Sequence, residues 1–236
     1  MRNRVLIPER MDDPALDPDE HRRALRGLQR INAWTGNPAL IQKYVWKAAC
    51  ERGARPLRVL DIATGAADLP IQLVRVSPRR QVARDIEMHA CDVSDQALAV
   101  ARQNCSAADA DVRLFRLDVV NEDIPERYDV VICSQFLHHL SRPDAELVLH
   151  KMKAAATRVI IVDLERSRVN WLQVWLATRV LTSSKVVHFD GPQSIRAAFT
   201  VAEFESLVRP VGFASYEIHR HWPCRFVFIG DTDGTA

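Results

Sequence analysis

Near-continuous apolar runs recur along the chain, separated by segments of helical spacing, and this alternation constrains the architecture more than any other feature. Strand-like runs occupy 57–62 (LRVLDI), 86–92 (IEMHACD), 112–118 (VRLFRLD), 128–134 (YDVVICS) and 158–164 (VIIVDL at its core). Helical runs fall between most of them: one to about Val76, one from Ser94 to about Asn104, and one over about 143–154. Strands without polar alternation are buried on both faces, and a parallel sheet covered by helices on each side provides that burial. Two further helices precede the first strand, one from Pro18 with Asp17 as N-cap and one from Asn37-Pro38 to about Arg52-Gly53. After the fifth strand come a helix over 169–181, a polar loop through Asp190-Gly191-Pro192, and a helix opened by Thr200 with Glu203 as a capping box. The strands 212–220 and 224–230 are joined by so short a turn, at Trp222-Pro223, that they must pair antiparallel. Residues 1–17 and the tail 231–236 show little periodicity and read as loose ends.

The 236 residues, 47% of them hydrophobic, suffice for one globular domain with its own core. Lys+Arg number 32 against Asp+Glu 30, a net charge of +2, which argues against nucleic acid as a partner. No stretch approaches the roughly 18 apolar residues of a membrane span, and the first residues turn acidic and Pro-rich where a signal peptide needs an apolar run. A cytoplasmic location is the expectation. The five cysteines are scattered, with no CxxC and no Cys/His cluster at zinc spacing, so they read as reduced thiols, and no bound metal is expected.

The segment Val59-Leu60-Asp61-Ile62-Ala63-Thr64-Gly65-Ala66-Ala67-Asp68-Leu69 is an apolar strand, an acid, a turn of small residues and a helix start. Small residues let a ligand approach the backbone, and the carboxyl ends of strands are where open α/β sheets bind ligands. Alone, such a turn also fits a tight strand-to-helix connection. Three more strands end alike, in Asp92-Val93-Ser94, Asp118-Val119 and Ser134-Gln135-Phe136. An acid after the second strand suits a ribose diol, and one after the third an exocyclic adenine amine; each taken separately also suits a helix cap or solvated turn. A dinucleotide site is disfavoured, because Gly65 opens GAADLP and not GxGxxG, and a P-loop fails for want of Gly-Lys-Ser/Thr.

On these residues the chain resembles a class I S-adenosylmethionine-dependent methyltransferase, and LDIATGAADL is similar to the motif of the small-molecule, ubiquinone/menaquinone-type members. The resemblance covers about 57–165 by motif. It implies a Rossmann-like, seven-stranded, mostly parallel sheet with helices on both faces, a C-terminal antiparallel hairpin, and an N-terminal helical lid (1–53) ahead of the cofactor-binding domain (54–236). It places Asp61, Ala63, Thr64 and Gly65 at the methionine end of the cofactor, Asp92 and Val93 at the ribose and adenine, Asp118 and Val119 around the adenine, and Ser134 and Gln135 near the sulfonium. Arg30, with Asn32, is a candidate for the cofactor carboxylate. Ala63 and Ala67 depart from the family pattern, which has Gly at the second position and often at the first.

The run Ser134-Gln135-Phe136-Leu137 is not the Asn/Asp-Pro-Pro-aromatic run usual in amino-methylating nucleic-acid enzymes, and with the near-neutral charge this favours a small, aromatic or polyketide-like acceptor methylated at oxygen. Trp171 and Trp175 share a helix face and are candidate acceptor walls, or else core aromatics. His139 and His188 are candidate bases, titrating near neutrality; because adjacent side chains diverge, only one of His138 and His139 is expected to face the site. A non-catalytic binding subunit with this fold, and an RNA or protein methyltransferase, are the alternatives.

Overall fold

A computed structural model of the chain describes residues 1–232 except 2, 14, 35, 53–55 and 76–85. The elements run α1 (Pro18–Trp34), α2 (Asn37–Arg52), β1 (Leu57–Ile62), α3 (Asp68–Arg75), β2 (Ile86–Asp92), α4 (Asp95–Ala108), β3 (Arg113–Arg116), β4 (Tyr128–Ser134), α5 (Arg142–Ala155), β5 (Ala156–Leu164), α6 (Arg168–Leu181), α7 (Lys185–Ala197), α8 (Val201–Val211), β6 (Ser215–His221) and β7 (Arg225–Asp231). The strands form one seven-stranded sheet in the order β3-β2-β1-β4-β5-β7-β6, parallel except that β7 runs antiparallel to both its neighbours.

The apolar runs are explained by what each strand face covers. Val59, Val130, Ile132, Ile160 and Val162 pack with Ile41 and Val45 of α2 and with Leu73 of α3. The alternate residues Leu60, Val131, Cys133, Val159 and Ile161 pack on the other side against Val148, Leu149 and Met152 of α5 and Phe204, Leu207 and Val208 of α8. The second N-terminal helix therefore covers the sheet. Only α1, with Ala24 buried against Val186 and Val187 of α7, builds a separate layer.

Caps fall where the sequence puts them: Ser94 accepts from Ala97 N, and Thr200 and Glu203 form a capping box. Three expectations need correction. The segment through Asp190-Gly191-Pro192 is the interior of α7, capped by Ser184, and not a loop. The third strand spans only four residues, because Asp118 folds the chain back through bonds to Val120 N and Asn121 N. The sixth begins at Ser215, since Gly212, at φ 72, terminates α8 in the left-handed conformation.

The N-terminal segment, expected to be loose, is docked. The Arg4 guanidinium donates to the carbonyls of His138 and Leu140, each at 2.7 Å, and lies 3.7 Å over the Phe199 ring. Further on, Arg10 N and Met11 N donate to the buried Asp190 carboxylate at 2.9 and 3.1 Å. Buried acceptors satisfied by this strap hold it against α7. Among the described residues no helix is long and apolar enough to cross a membrane.

Candidate active site

The carboxyl ends of β1, β2 and β4 and the turn after β3 open into one cavity of about 1200 Å³, roofed by α1, α6, α7 and the strap. Its floor brings together the sequence-predicted Asp61, Ala63, Thr64, Gly65, Asp92, Val93, Asp118, Val119, Ser134 and Gln135, as well as His139. A ligand site at this edge is what crossing over from β1 to its two neighbours produces in such a sheet.

Asp61 is the penultimate residue of β1 and is 3% exposed. Its Oδ2 accepts from Thr64 Oγ1 at 2.7 Å, and its Oδ1 has no hydrogen-bond partner among the described residues. Burial pushes its pKa up to about 7, opposed by the Thr64 bond. A buried carboxylate oxygen without a donor is energetically costly, and a ligand ammonium in the cavity would supply one. The following turn is left-handed at three positions, with φ 54 at Ala63, 57 at Gly65 and 61 at Ala67. At Gly65 a Cβ would meet nothing within 4 Å, so the backbone there faces open space. The remaining acid of this motif, Asp68, accepts from Gln29 Nε2 at 2.6 Å and ties α1 to the start of α3.

Asp92 carries the turn's backbone, accepting from Gly65 N and Ser94 N at 2.9 Å each. Val93 beside it is 51% exposed although apolar, and with buried Val119 it lines the cavity as an uncovered apolar wall. Both Asp118 oxygens are engaged in their own turn, one with Asn121 Nδ2 at 2.8 Å, and this bond holds the carboxyl below its ordinary pKa. After β4 the chain turns through Gln135, at φ 54, whose N donates to Val162 O at 2.7 Å.

The other predicted residues divide. His139 lines the cavity, but so does His138, contrary to the expected divergence: their rings lie 4.3 Å apart in a tight 3₁₀ turn. His188 lies on α7, with Nε2 2.8 Å from Thr182 O, and outside the cavity wall. Trp171 and Trp175 are also outside it; α6 lines the cavity with Gln173, Val174, Leu176, Ala177 and Thr178 and with Val180 and Leu181 of its last turn. Arg30 is exposed on the outer side of α1, whose Leu25, Leu28 and Ile31 face inward, and the side chain of Asn32 is outside the described residues.

Two residues were missed. His138 is 2% exposed, and its Nδ1 lies 2.6 Å from Asp163 Oδ1, while Asp163 Oδ2 accepts from His138 N at 3.1 Å. An acid closing the apolar run of the fifth strand is a visible signal for Asp163. The other is Glu9, brought to the histidines by the strap, which nothing in its local sequence announces.

Residues 59–158 match the family model described as a methyltransferase domain. The chain is 25% identical over 139 residues to the release factor glutamine methyltransferase of Flavobacterium psychrophilum, covering 57% of this chain and 45% of that protein. It is 33% identical over 99 residues to the ribosomal protein L11 methyltransferase of Geobacter sulfurreducens, covering 42% and 30%. It thus spans less than half the length of these curated relatives. Among solved structures, the plantazolicin methyltransferase BpumL, in complex with a monoazolic desmethylPZN analog and SAH, superposes with TM-score 0.69 at 15% identity over 92% of this chain and 91% of that one. Magnesium protoporphyrin IX methyltransferase (ChlM) from Synechocystis PCC 6803 with bound SAM gives 0.58 at 15%, over 94% and 100%. The fold is the Rossmann-like fold shared with these methyltransferases. Residues 59–158, somewhat less than half of the chain, are the part that matches the methyltransferase-domain model.

Proposed function

We propose that the chain binds S-adenosylmethionine along the floor of the cavity and transfers its methyl group to a small aromatic or polyketide-like acceptor, at oxygen. The observation that carries this reading is Oδ1 of buried Asp61, which has no hydrogen-bond partner among the described residues and lies near the end of β1 in the wall of the cavity. When bound, the cofactor supplies an activated methyl on a sulfonium. Asp61 and the open backbone at Gly65 suit its amino-acid end, Asp92 its ribose, and the uncovered Val93 with Val119 its adenine. Asp118, already bonded within its turn, would accept the adenine amine as a further bond. Ser134 and Gln135 stand where β4 meets the reacting end.

Methyl transfer is an in-line displacement, so the protein has to align donor and acceptor and exclude water. A volume of about 1200 Å³ exceeds the roughly 300–1,000 Å³ of a usual single-ligand pocket, which leaves space for an acceptor beside the cofactor. The roof from α1, α6 and α7 is largely apolar and supports an apolar acceptor. A protein acceptor is the second reading, favoured by the likeness to a release factor glutamine methyltransferase and a ribosomal protein L11 methyltransferase. Incubation with methyl-labelled S-adenosylmethionine and a panel of phenols and polyketides, alongside protein fractions, separates them: label on a small phenol supports the reading, and label on protein alone overturns it.

A further inference from the structure

The strap places a carboxylate against the two cavity histidines. Glu9, His138 and His139 each offer one ligand atom, and the three atoms lie within 4.8 Å of one another. His139 Nδ1 is 3.9 Å from Glu9 Oε1, whose carboxylate also accepts from Ser194 Oγ. All three residues line the cavity. Behind His138, Asp163 accepts from three N–H groups: Nδ1 at 2.6 Å, His138 N at 3.1 Å and Leu164 N at 2.7 Å. Because a carboxylate only accepts, Nδ1 is the donor, and in the neutral ring the lone pair sits on Nε2. A carboxylate behind an imidazole in this way fixes the tautomer and raises the basicity of a metal-binding nitrogen.

We propose that Glu9, His138 and His139 bind a divalent transition-metal ion, with zinc(II) suiting their donor set, and leave a coordination position open to the cavity. Two imidazoles and one carboxylate are the donors of three-ligand zinc sites with an open position. Zinc–ligand distances of about 2.0–2.1 Å bring tetrahedral donors to roughly 3.3 Å apart, so binding requires the three side chains to close in by up to about 1.5 Å from the present limit of 4.8 Å. One carboxylate leaves a net positive charge on the site, which selects an anionic oxygen such as a phenolate or carboxylate. Ion binding stands on these residues alone; that the oxygen belongs to the acceptor rests on the methyl-transfer reading.

The test uses metal-stripped full-length protein in a Cys50→Ser background, since Cys50 is an exposed thiol. Zinc(II) is titrated against a chromophoric chelator, and cobalt(II) is followed by visible absorption. One ion per chain is expected. Glu9→Gln and His139→Ala should each weaken binding tenfold or more, and Asp163→Asn about 10- to 100-fold, whereas His188→Ala should leave it unchanged. The same variants are titrated with S-adenosylhomocysteine. Protein that takes S-adenosylhomocysteine but no zinc, or zinc binding that survives both Glu9→Gln and His139→Ala, overturns the metal site and leaves the methyl-transfer reading intact. Zinc binding without S-adenosylhomocysteine binding supports the metal site and overturns that reading.

Discussion

At the scale of single residues, Asp61 couples stability to ligand binding. Its carboxyl has an ordinary value near 3.8 and is raised to about 7 in the folded chain, chiefly by burial. Between those values the folded state holds a proton that the unfolded state has lost, so the ligand-free protein loses stability as pH rises from about 4 to about 7. A shift of about three units corresponds to about 4 kcal/mol, a large part of a domain's stability. Asp61→Asn should therefore flatten that stretch of the Tm-against-pH profile, raise Tm at pH 8, and weaken S-adenosylhomocysteine binding at least tenfold. An unchanged profile would remove Asp61 from this role. Two alanines test the strain in the same turn. A left-handed conformation costs an L residue roughly 1–2 kcal/mol, while Gly adds unfolded-chain entropy worth about 0.4–1 kcal/mol. Ala63→Gly should then stabilise by about 0.5–1 kcal/mol in urea unfolding. Ala67 also buries its methyl completely, against Ala101 and Cys105, worth about 0.8 kcal/mol, so Ala67→Gly should be near neutral.

At the scale of elements, the strands and their helices were legible because burial on two faces writes a continuous apolar run, and because Ser94 and Thr200 are caps with local signatures. The roof was not. Asp190-Gly191-Pro192 has the composition of a turn, yet Asp190 receives the strap's amides, and at Gly191 a Cβ would stand 2.7 Å from Thr178 Cγ2 and 3.2 Å from Val174 Cγ1 of α6. The glycine is there for close crossing of α6 and α7. Gly191→Ala gains at most about 1 kcal/mol of helix propensity and meets an overpacking cost of about 1–3 kcal/mol against the buried Thr178, so it should destabilise the fold in denaturant unfolding. The tryptophans misled for a related reason. Helix α6 has apolar residues on more than one face, and spacing alone does not say which face the cavity takes.

At the scale of the whole molecule, the floor of the cavity was legible and its closure was not. Asp61, Asp92, Asp118 and Ser134 lie at or just beyond the carboxyl ends of consecutive strands, so the sheet order alone gathers them at one edge. Arg4 meets the carbonyls after β4, Glu9 meets His139 and Ser194, and Asp190 meets Arg10 N and Met11 N only because a strap without periodicity crosses α7; no local pattern encodes such contacts. Whether the gathered floor holds S-adenosylmethionine is tested most directly by calorimetric titration with S-adenosylhomocysteine, which requires no acceptor. Micromolar binding is expected, weakened by Asp92→Ala by about 1–3 kcal/mol, or roughly 5- to 150-fold. No heat of binding at millimolar ligand, or affinity untouched by Asp92→Ala, would contradict it.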